Sequence, residues 1–210
     1  MIRLLIADDH AIVREGLKQI LADTLDISVT GEASSGQEAI KKVGVSDYDL
    51  ILLDISLPGM SGLDVLKQIR LLKPSIPILI LSMYPEEQYA IRSLRAGASG
   101  YLTKESATEE LISAIRKVAR GRKYITASLA EKIALDWEKD ERRSLHEVLS
   151  DREYQVFCMI ASGKTVKEIS KLLSLSIKTV STHRARILKK MDMKNSAQLT
   201  HYAIKHNLVD

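Results

Sequence analysis

The sequence predicts an α/β fold, a doubly wound five-stranded parallel sheet, followed by a small all-α domain of four helices. Three observations predict it. Over the first 120 residues, five short aliphatic runs alternate with five amphipathic stretches. The last 64 residues hold no strand-like run at all. The charge changes sign along the chain: residues 1–121 carry a net −2, residues 122–146 a net +1 and residues 147–210 a net +5.

The aliphatic runs are Leu4–Ala7, Ile27–Val29, Leu50–Leu53, Ile78–Leu81 and Gly100–Leu102. Runs this short and this continuous suit strands covered on both faces, as in a parallel sheet. Helical spacing fills the intervals, over 12–21, 36–43, 63–72, 88–94 and 111–118. In the third of these, Leu63, Leu66, Ile69 and Leu72 form one apolar stripe. Five β/α units in succession give a sheet with helices on its faces. From 122 to 146 the pattern breaks into a partly helical linker, in which Leu129, Ile133 and Trp137 recur every four residues before the charged run 138–143. Trp137 is expected to pack on one of the domains. Residues 147–210 then read as four short helices near 151–162, 166–173, 177–191 and 196–206. Ser150 with Glu153 makes a capping box for the first, and Ser176 and Ser196 are expected to cap the last two.

Composition narrows the function classes. With 45% apolar and 28% charged residues the chain is ordinary for a soluble globular protein. No apolar run nears the ~18 residues that cross a bilayer. The opening Met1–Ile2–Arg3 leads directly into the first strand without the layout of a signal peptide, so a cytoplasmic protein without membrane attachment is expected. The single cysteine, Cys158, has no partner for an intrachain disulfide or a thiolate metal cluster, and reads as a small core residue. The basic final domain suits a polyanion, with five cations and no acid within 178–190. Gly163-Lys164-Thr165 looks like the end of a phosphate-binding loop, but Cys158 stands where such a loop needs a glycine.

Ligands of doubly wound sheets bind at the carboxyl ends of the strands. There the sequence places Asp8 and Asp9, Asp54, Ser82, then Thr103 and Lys104. Three carboxylates gathered in one cleft repel unless a cation or proton compensates them. An all-oxygen set of this kind suits Mg²⁺. A hydroxyl and an ammonium opposite could hold the oxygens of a transferred phosphoryl group. Acids and hydroxyls at strand ends can also be solvated loop starts, but five suitable residues at successive ends favour a site.

Asp8-Asp9, Asp54 followed by Leu57-Pro58-Gly59 and Gly62, Ser82, and Tyr101 three before Lys104 resemble the receiver domain of bacterial two-component response regulators, a flavodoxin-like fold. The resemblance implies that Asp54 is the nucleophile that accepts a phosphoryl group from a sensor histidine kinase. It implies that Asp8, Asp9, Asp54 and the backbone carbonyl of Ser56 hold Mg²⁺, that Lys104 pairs with the phosphoryl oxygens and that Ser82 hydrogen-bonds one of them. Tyr101 would be the aromatic that turns inward as Ser82 moves toward the phosphate. Such a chain catalyses only its own phosphorylation and dephosphorylation and is not otherwise an enzyme. Two departures stand out: Glu105 follows Lys104 where receivers commonly carry proline, and position 82 is Ser rather than Thr. His10 reads as a surface loop residue.

In the final domain, Ser174-Leu175-Ser176 is a turn of the length a helix-turn-helix needs. On the helix after it, Val180, Ile187, Leu188 and Met191 mark the buried stripe, which leaves Lys178, Ser181, Thr182, Ala185, Arg186 and Lys189 facing outward. Such a helix suits a major groove. Leu149-Ser150-Asp151-Arg152-Glu153, Lys178-Thr179-Val180-Ser181-Thr182-His183 and Ser196-Ala197-Gln198-Leu199 resemble the LuxR-type helix-turn-helix, so the whole chain is similar to response regulators of the NarL/FixJ family. That resemblance implies a receiver over 1–121, a linker over 122–146 and a DNA-binding domain over 147–210. It implies base-facing Lys178, Ser181, Thr182 and Ala185, phosphate contacts from Thr179, Arg184, Arg186 and Lys189, and a homodimer when phosphorylated or DNA-bound. Arg184 could instead turn toward the domain interior. The expected function is transcriptional regulation through double-stranded promoter DNA. The competing function is a receiver-controlled adaptor that works by protein contact, which the basic 178–190 segment disfavours.

Overall fold

The computed structural model describes residues 1–106, 108–138 and 144–209, without side-chain detail at 132 and 135–138. The expected packing of Trp137 and the charged run through Arg143 lie outside what is described. The chain forms two compact units, Met1–Ala130 and Glu131–Asp210.

In the first unit the strands are β1 (Ile2–Ala7), β2 (Ile27–Ala33), β3 (Leu50–Leu53), β4 (Ile78–Ser82) and β5 (Gly100–Thr103). They pair in parallel in the order β2-β1-β3-β4-β5. The helices between them are α1 (Ala11–Ala22), α2 (Gly36–Val45), α3 (Gly62–Leu72), α4 (Glu86–Arg95) and α5 (Thr108–Ala119). Every residue of β3 and β4 is buried, which is why those segments are unbroken aliphatic runs in the sequence. One core layer joins Leu4, Ile6, Leu50, Leu52 and Leu79 of the sheet to Leu17, Leu21, Leu111, Ile115 and Val118 of α1 and α5. The strand order reverses between β1 and β3, so their carboxyl ends flank the crevice of the fold.

The first unit extends beyond residue 121, where the linker was expected to begin. Tyr124 makes an isolated parallel bridge with Gly100, and its N–H donates to Ser99 O at 2.8 Å. Leu129 is buried. The sequence hid this because the contact is one extended residue against an edge strand, too short to show a period. Helix α6 (Ala127–Glu138) starts in this unit.

The second unit contains a 3-10 turn (Leu145–Val148), α7 (Asp151–Ala161), α8 (Val166–Leu172), α9 (Ile177–Lys190) and α10 (Ser196–Lys205). Ser150 and Glu153 form the expected capping box on α7, Thr165 and Glu168 form another on α8, and Ser176 caps α9. At α10 the cap is Asn195 rather than Ser196: Asn195 accepts the Gln198 N–H at 3.1 Å, and Ser196 is the first helical residue. Asparagine competes for this position as well as serine does, and the sequence carries them side by side. Phe157, Val156, Ile169, Val180, Ile187, Leu199 and Ala203 are fully buried and form the core. Among the described residues, no helix is long and apolar enough to cross a membrane.

Candidate functional site

Each expected residue of the first site is delivered by a strand end. β1 ends at Ala7, whose carbonyl receives the Asp54 N–H at 2.9 Å, and the Asp8 N–H reaches Ala33 O at 3.0 Å. The ladder thus continues one residue past β1 and β3 and sets Asp8 beside Asp54. On the other side Lys104 N–H donates to Ser82 O at 2.7 Å, which fixes the residue just after β5 against the end of β4. The Gly62 N–H donates to Ile55 O at 2.9 Å, tying the start of α3 to the loop after Asp54.

Asp8 and Asp54 are both only 2% exposed. The Lys104 ammonium stands between them, 2.5 Å from Asp8 Oδ2 and 2.8 Å from Asp54 Oδ2. Burial raises the Asp54 carboxyl above the usual range, the Lys104 charge opposes that, and Asp8 reinforces it. For Lys104, burial pulls the ammonium down, but Asp54 and Asp8 outweigh it and the net shift is upward. The ammonium is therefore charged and neutralises half of a buried pair of carboxylates. The Ser56 N–H donates to the other Asp54 oxygen at 3.1 Å.

Ligand atoms of Asp8, Asp9, His10 and Asp54 all lie within 4.8 Å of one another. This acidic cluster fits a divalent cation by charge and by donor type. His10 is a loop residue with a mostly exposed side chain, but its Nδ1 lies 2.9 Å from Asp9 Oδ1 and 3.2 Å from Asp8 Oδ1. It belongs to the rim of the cluster, which its position next to Asp8-Asp9 could have signalled. Arg14 of α1 also enters, its Nη1 donating to Asp8 O at 2.8 Å.

Ser82 and Tyr101 are fully buried. Ser82 Oγ accepts the Tyr84 N–H at 3.2 Å, and the Tyr101 hydroxyl donates to Tyr84 O at 2.7 Å. Tyr101 is thus inward and latched onto the loop that starts at Ser82. Burial drives its phenol well above the usual tyrosine range, with a Ser82 hydrogen bond pulling the other way, so it is a donor throughout the working pH range. Tyr84 thus joins Ser82 and Tyr101 through its own backbone N–H and carbonyl, and its ring lies 4.8 Å from that of Tyr89.

In the second unit, α9 shows the expected faces. Val180, Ile187 and Met191 are buried and Leu188 is half-buried, while Lys178, Ser181, Thr182, Ala185, Arg186 and Lys189 are exposed. Thr179 is half-buried at the cap, its hydroxyl 2.8 Å from Ser176 Oγ, and the Thr182 hydroxyl donates to Lys178 O at 2.9 Å. Arg184 turns away from the exposed face, and its Nε donates to Ser196 Oγ at 3.0 Å. Lys190 pairs with the buried Glu153 of α7 at 2.6 Å. His183 is half-buried, and burial together with Arg152 lowers its basicity.

The comparisons with known proteins cover both units. The description "Response regulator receiver domain" matches residues 4–116, and "Bacterial regulatory proteins, luxR family" matches 147–203. The response regulator UvrY of Escherichia coli is 40% identical over 209 residues, 99% of this chain and 96% of that protein. The response regulator GacA of Pseudomonas aeruginosa is 36% identical, covering all of this chain and 99% of its own. Among solved structures, RcsB of Salmonella enterica serovar Typhimurium, bound to the rprA promoter with the phosphomimetic BeF3−, aligns over 96% of this chain and 97% of its own. Its TM-score is 0.66 at 28% identity. A buried Asp–Lys–Asp cluster at the strand ends of one unit and a cationic helix in the other are what these matches lead one to expect, and the chain belongs to the NarL/FixJ family of two-component response regulators, DNA-binding regulators of transcription with a receiver and a LuxR-type helix-turn-helix.

Proposed function

We propose that Asp54 is the phosphoacceptor of this regulator and that its phosphorylation by a sensor histidine kinase controls promoter binding through α9. The observation that supports this most is the Lys104 ammonium held between Asp8 and Asp54 in a buried pocket. Without a cation there, an incoming phosphoryl group would meet an uncompensated anionic cluster. Asp8, Asp9, Asp54 and the Ser56 carbonyl would hold Mg²⁺, which supplies charge neutralisation to the phosphoryl oxygens when bound.

A carboxylate oxygen of Asp54 attacks the phosphorus of the phosphoimidazole donor. The new P–O bond forms as the P–N bond breaks, and the imidazole nitrogen keeps the electron pair and takes a proton from solvent. Lys104 trades a carboxylate partner for a phosphoryl oxygen. Ser82, freed from Tyr84 N–H, donates its hydroxyl to another oxygen, and the loop carries with it the Tyr84 carbonyl that holds the already inward Tyr101. The chain acts on its own aspartate alone and turns over no diffusible substrate.

On the output side, Lys178, Ser181, Thr182 and Ala185 would face bases, with Arg186 and Lys189 on phosphates and Thr179 near the backbone. Arg184 plays a lesser part than its charge suggests, since it is committed to Ser196. Binding as a homodimer would place two such helices on a symmetric or tandem site. The setting is the cytoplasm, where promoter and kinase domain meet. The test is a mobility shift on promoter DNA with and without a small phosphodonor and Mg²⁺. Donor should change affinity or oligomeric state in the native chain and leave Asp54→Asn unmoved; equal responses in the two would refute the scheme.

A further inference from the structure

The segment from Lys123 to Ala130 is fastened to the receiver at two places of different character. The first is an anchor on β5 and α5. Lys123 Nζ donates to Ala98 O at 2.6 Å, and the Tyr124 hydroxyl donates to Glu110 at 2.7 Å. The Lys117 ammonium lies 5.4 Å from the Tyr124 ring centre. Gly100 makes this approach possible: a Cβ there would lie 2.8 Å from both Cβ and O of Tyr124.

The second is Thr126, and it faces α4. Its hydroxyl donates to Glu86 Oε2 at 2.8 Å and accepts the Leu129 N–H at 3.2 Å. The Ala130 N–H reaches Thr126 O at 3.0 Å, so Thr126 is the N-cap of α6. Glu86 is the first residue of α4 and follows Tyr84 by two positions. Tyr84 in turn holds Ser82 through its N–H and Tyr101 through its carbonyl. The hydrogen bonds at Tyr84 and those at Glu86 are therefore joined by two peptide links, and together they connect the Ser82 loop to the first turn of the helix that leaves the receiver.

We propose that Thr126 is the residue through which the state of the Asp54 site is passed to α6. The inference rests on the reading of Asp54 as phosphoacceptor. When Ser82 moves toward a phosphoryl group, the Ser82–Glu86 loop shifts, while Tyr124 stays fastened to β5 and α5. One hydroxyl then cannot serve both Glu86 and the α6 cap with the same geometry. The first turn of α6 changes its stability with the phosphorylation state. Thr126 is a positioning residue in this scheme and touches no reacting atom.

The experiment is site-resolved amide exchange at Leu129 and Ala130 in the full chain with Mg²⁺, before and after phosphoramidate, with phosphate uptake read by intact mass. In the native chain, phosphorylation should change exchange at these amides by about 5-fold, the size of a capping interaction. Thr126→Val, phosphorylated to the same extent, should show a change under about 2-fold, and Thr126→Ser should restore the native response. Glu86→Ala, which keeps the cap and removes its partner on α4, should be uncoupled as Thr126→Val is, and it serves if the valine variant folds poorly. A native response in both Thr126→Val and Glu86→Ala overturns the inference. So does a phosphorylated native chain whose α6 amides do not respond, and in that case the Asp54 reading stands. Failure of the native chain to take up phosphate at Asp54 removes that reading and this inference together.

Discussion

Gly62→Ala tests whether the backbone after Asp54 is as tightly determined as the site requires. Gly62 opens α3, and a Cβ on it would lie 2.1 Å from Asp54 O, 2.7 Å from Ile55 Cα and 2.9 Å from Asp54 C. Ordinary contact needs about 3.5 Å, so α3 and the β3–α3 loop must separate by more than about 1 Å. All three obstructing atoms are backbone, and no rotamer change relieves them. Overpacking of this kind costs about 1–3 kcal/mol, and backbone obstruction puts it toward the upper end. With about 2 kcal/mol lost, the unfolding midpoint should fall by about 4–8 °C for a chain of this length. Gly16→Ala is the control. Gly16 lies inside α1 with nothing within 4 Å of its added Cβ, so the same change should stabilise by about 0.5–1 kcal/mol through helix propensity. Calorimetry on the full chain reads both signs. Because Gly62 braces the Asp54 backbone, its alanine variant should also take up phosphate from a small donor at least about 10-fold more slowly. A Gly62→Ala protein that melts within about 1 °C of the native chain and is phosphorylated at the native rate would refute the argument.

Lys104→Ala leaves Asp8 and Asp54 buried without their shared ammonium, and urea unfolding should show a loss of about 3 kcal/mol. Adding Asp54→Asn to that variant should recover at least about 1 kcal/mol, because one uncompensated charge goes with it. Glu38 is held down to about 2, first by the Ser34 backbone N–H and then by Lys42. Its folded value lies below its unfolded one, so the stability it adds is present above about pH 4.5 and is lost as pH falls toward 2. Glu38→Ala should therefore cost about 1 kcal/mol at pH 7, a figure reduced for its partial exposure, and the gap from native should narrow below about pH 4.5 and close only as pH approaches about 2 in urea titrations. On DNA, Arg186→Ala and Lys189→Ala should each lower the slope of log affinity against log salt by about 1. Lys190→Ala should lower stability instead, since its ammonium is engaged by Glu153, and a full unit of slope lost there would contradict that pairing.

The sequence by itself determined the strands, the helices and their order, because burial on two faces leaves unbroken aliphatic runs and burial on one leaves a helical stripe. It also determined which residues collect at the carboxyl edge of the sheet: the parallel order puts every strand end on one side, so Asp8, Asp9, Asp54, Ser82 and Lys104 could be named before any coordinates. The exposed face of α9 followed from period alone. Tertiary structure decided the pairings that have no local signature. Arg184 meets Ser196 twelve residues on, Lys190 meets Glu153 thirty-seven residues back, and Thr126 meets Glu86 forty residues back. Spacing left Arg184 between a phosphate contact and the domain interior, and it gave no sign of the partners of Lys190 or Thr126. The same holds for Tyr84, whose role is carried by backbone atoms that every residue possesses. Patterns report which side of an element is buried, and only the packed chain reports what lies across from it.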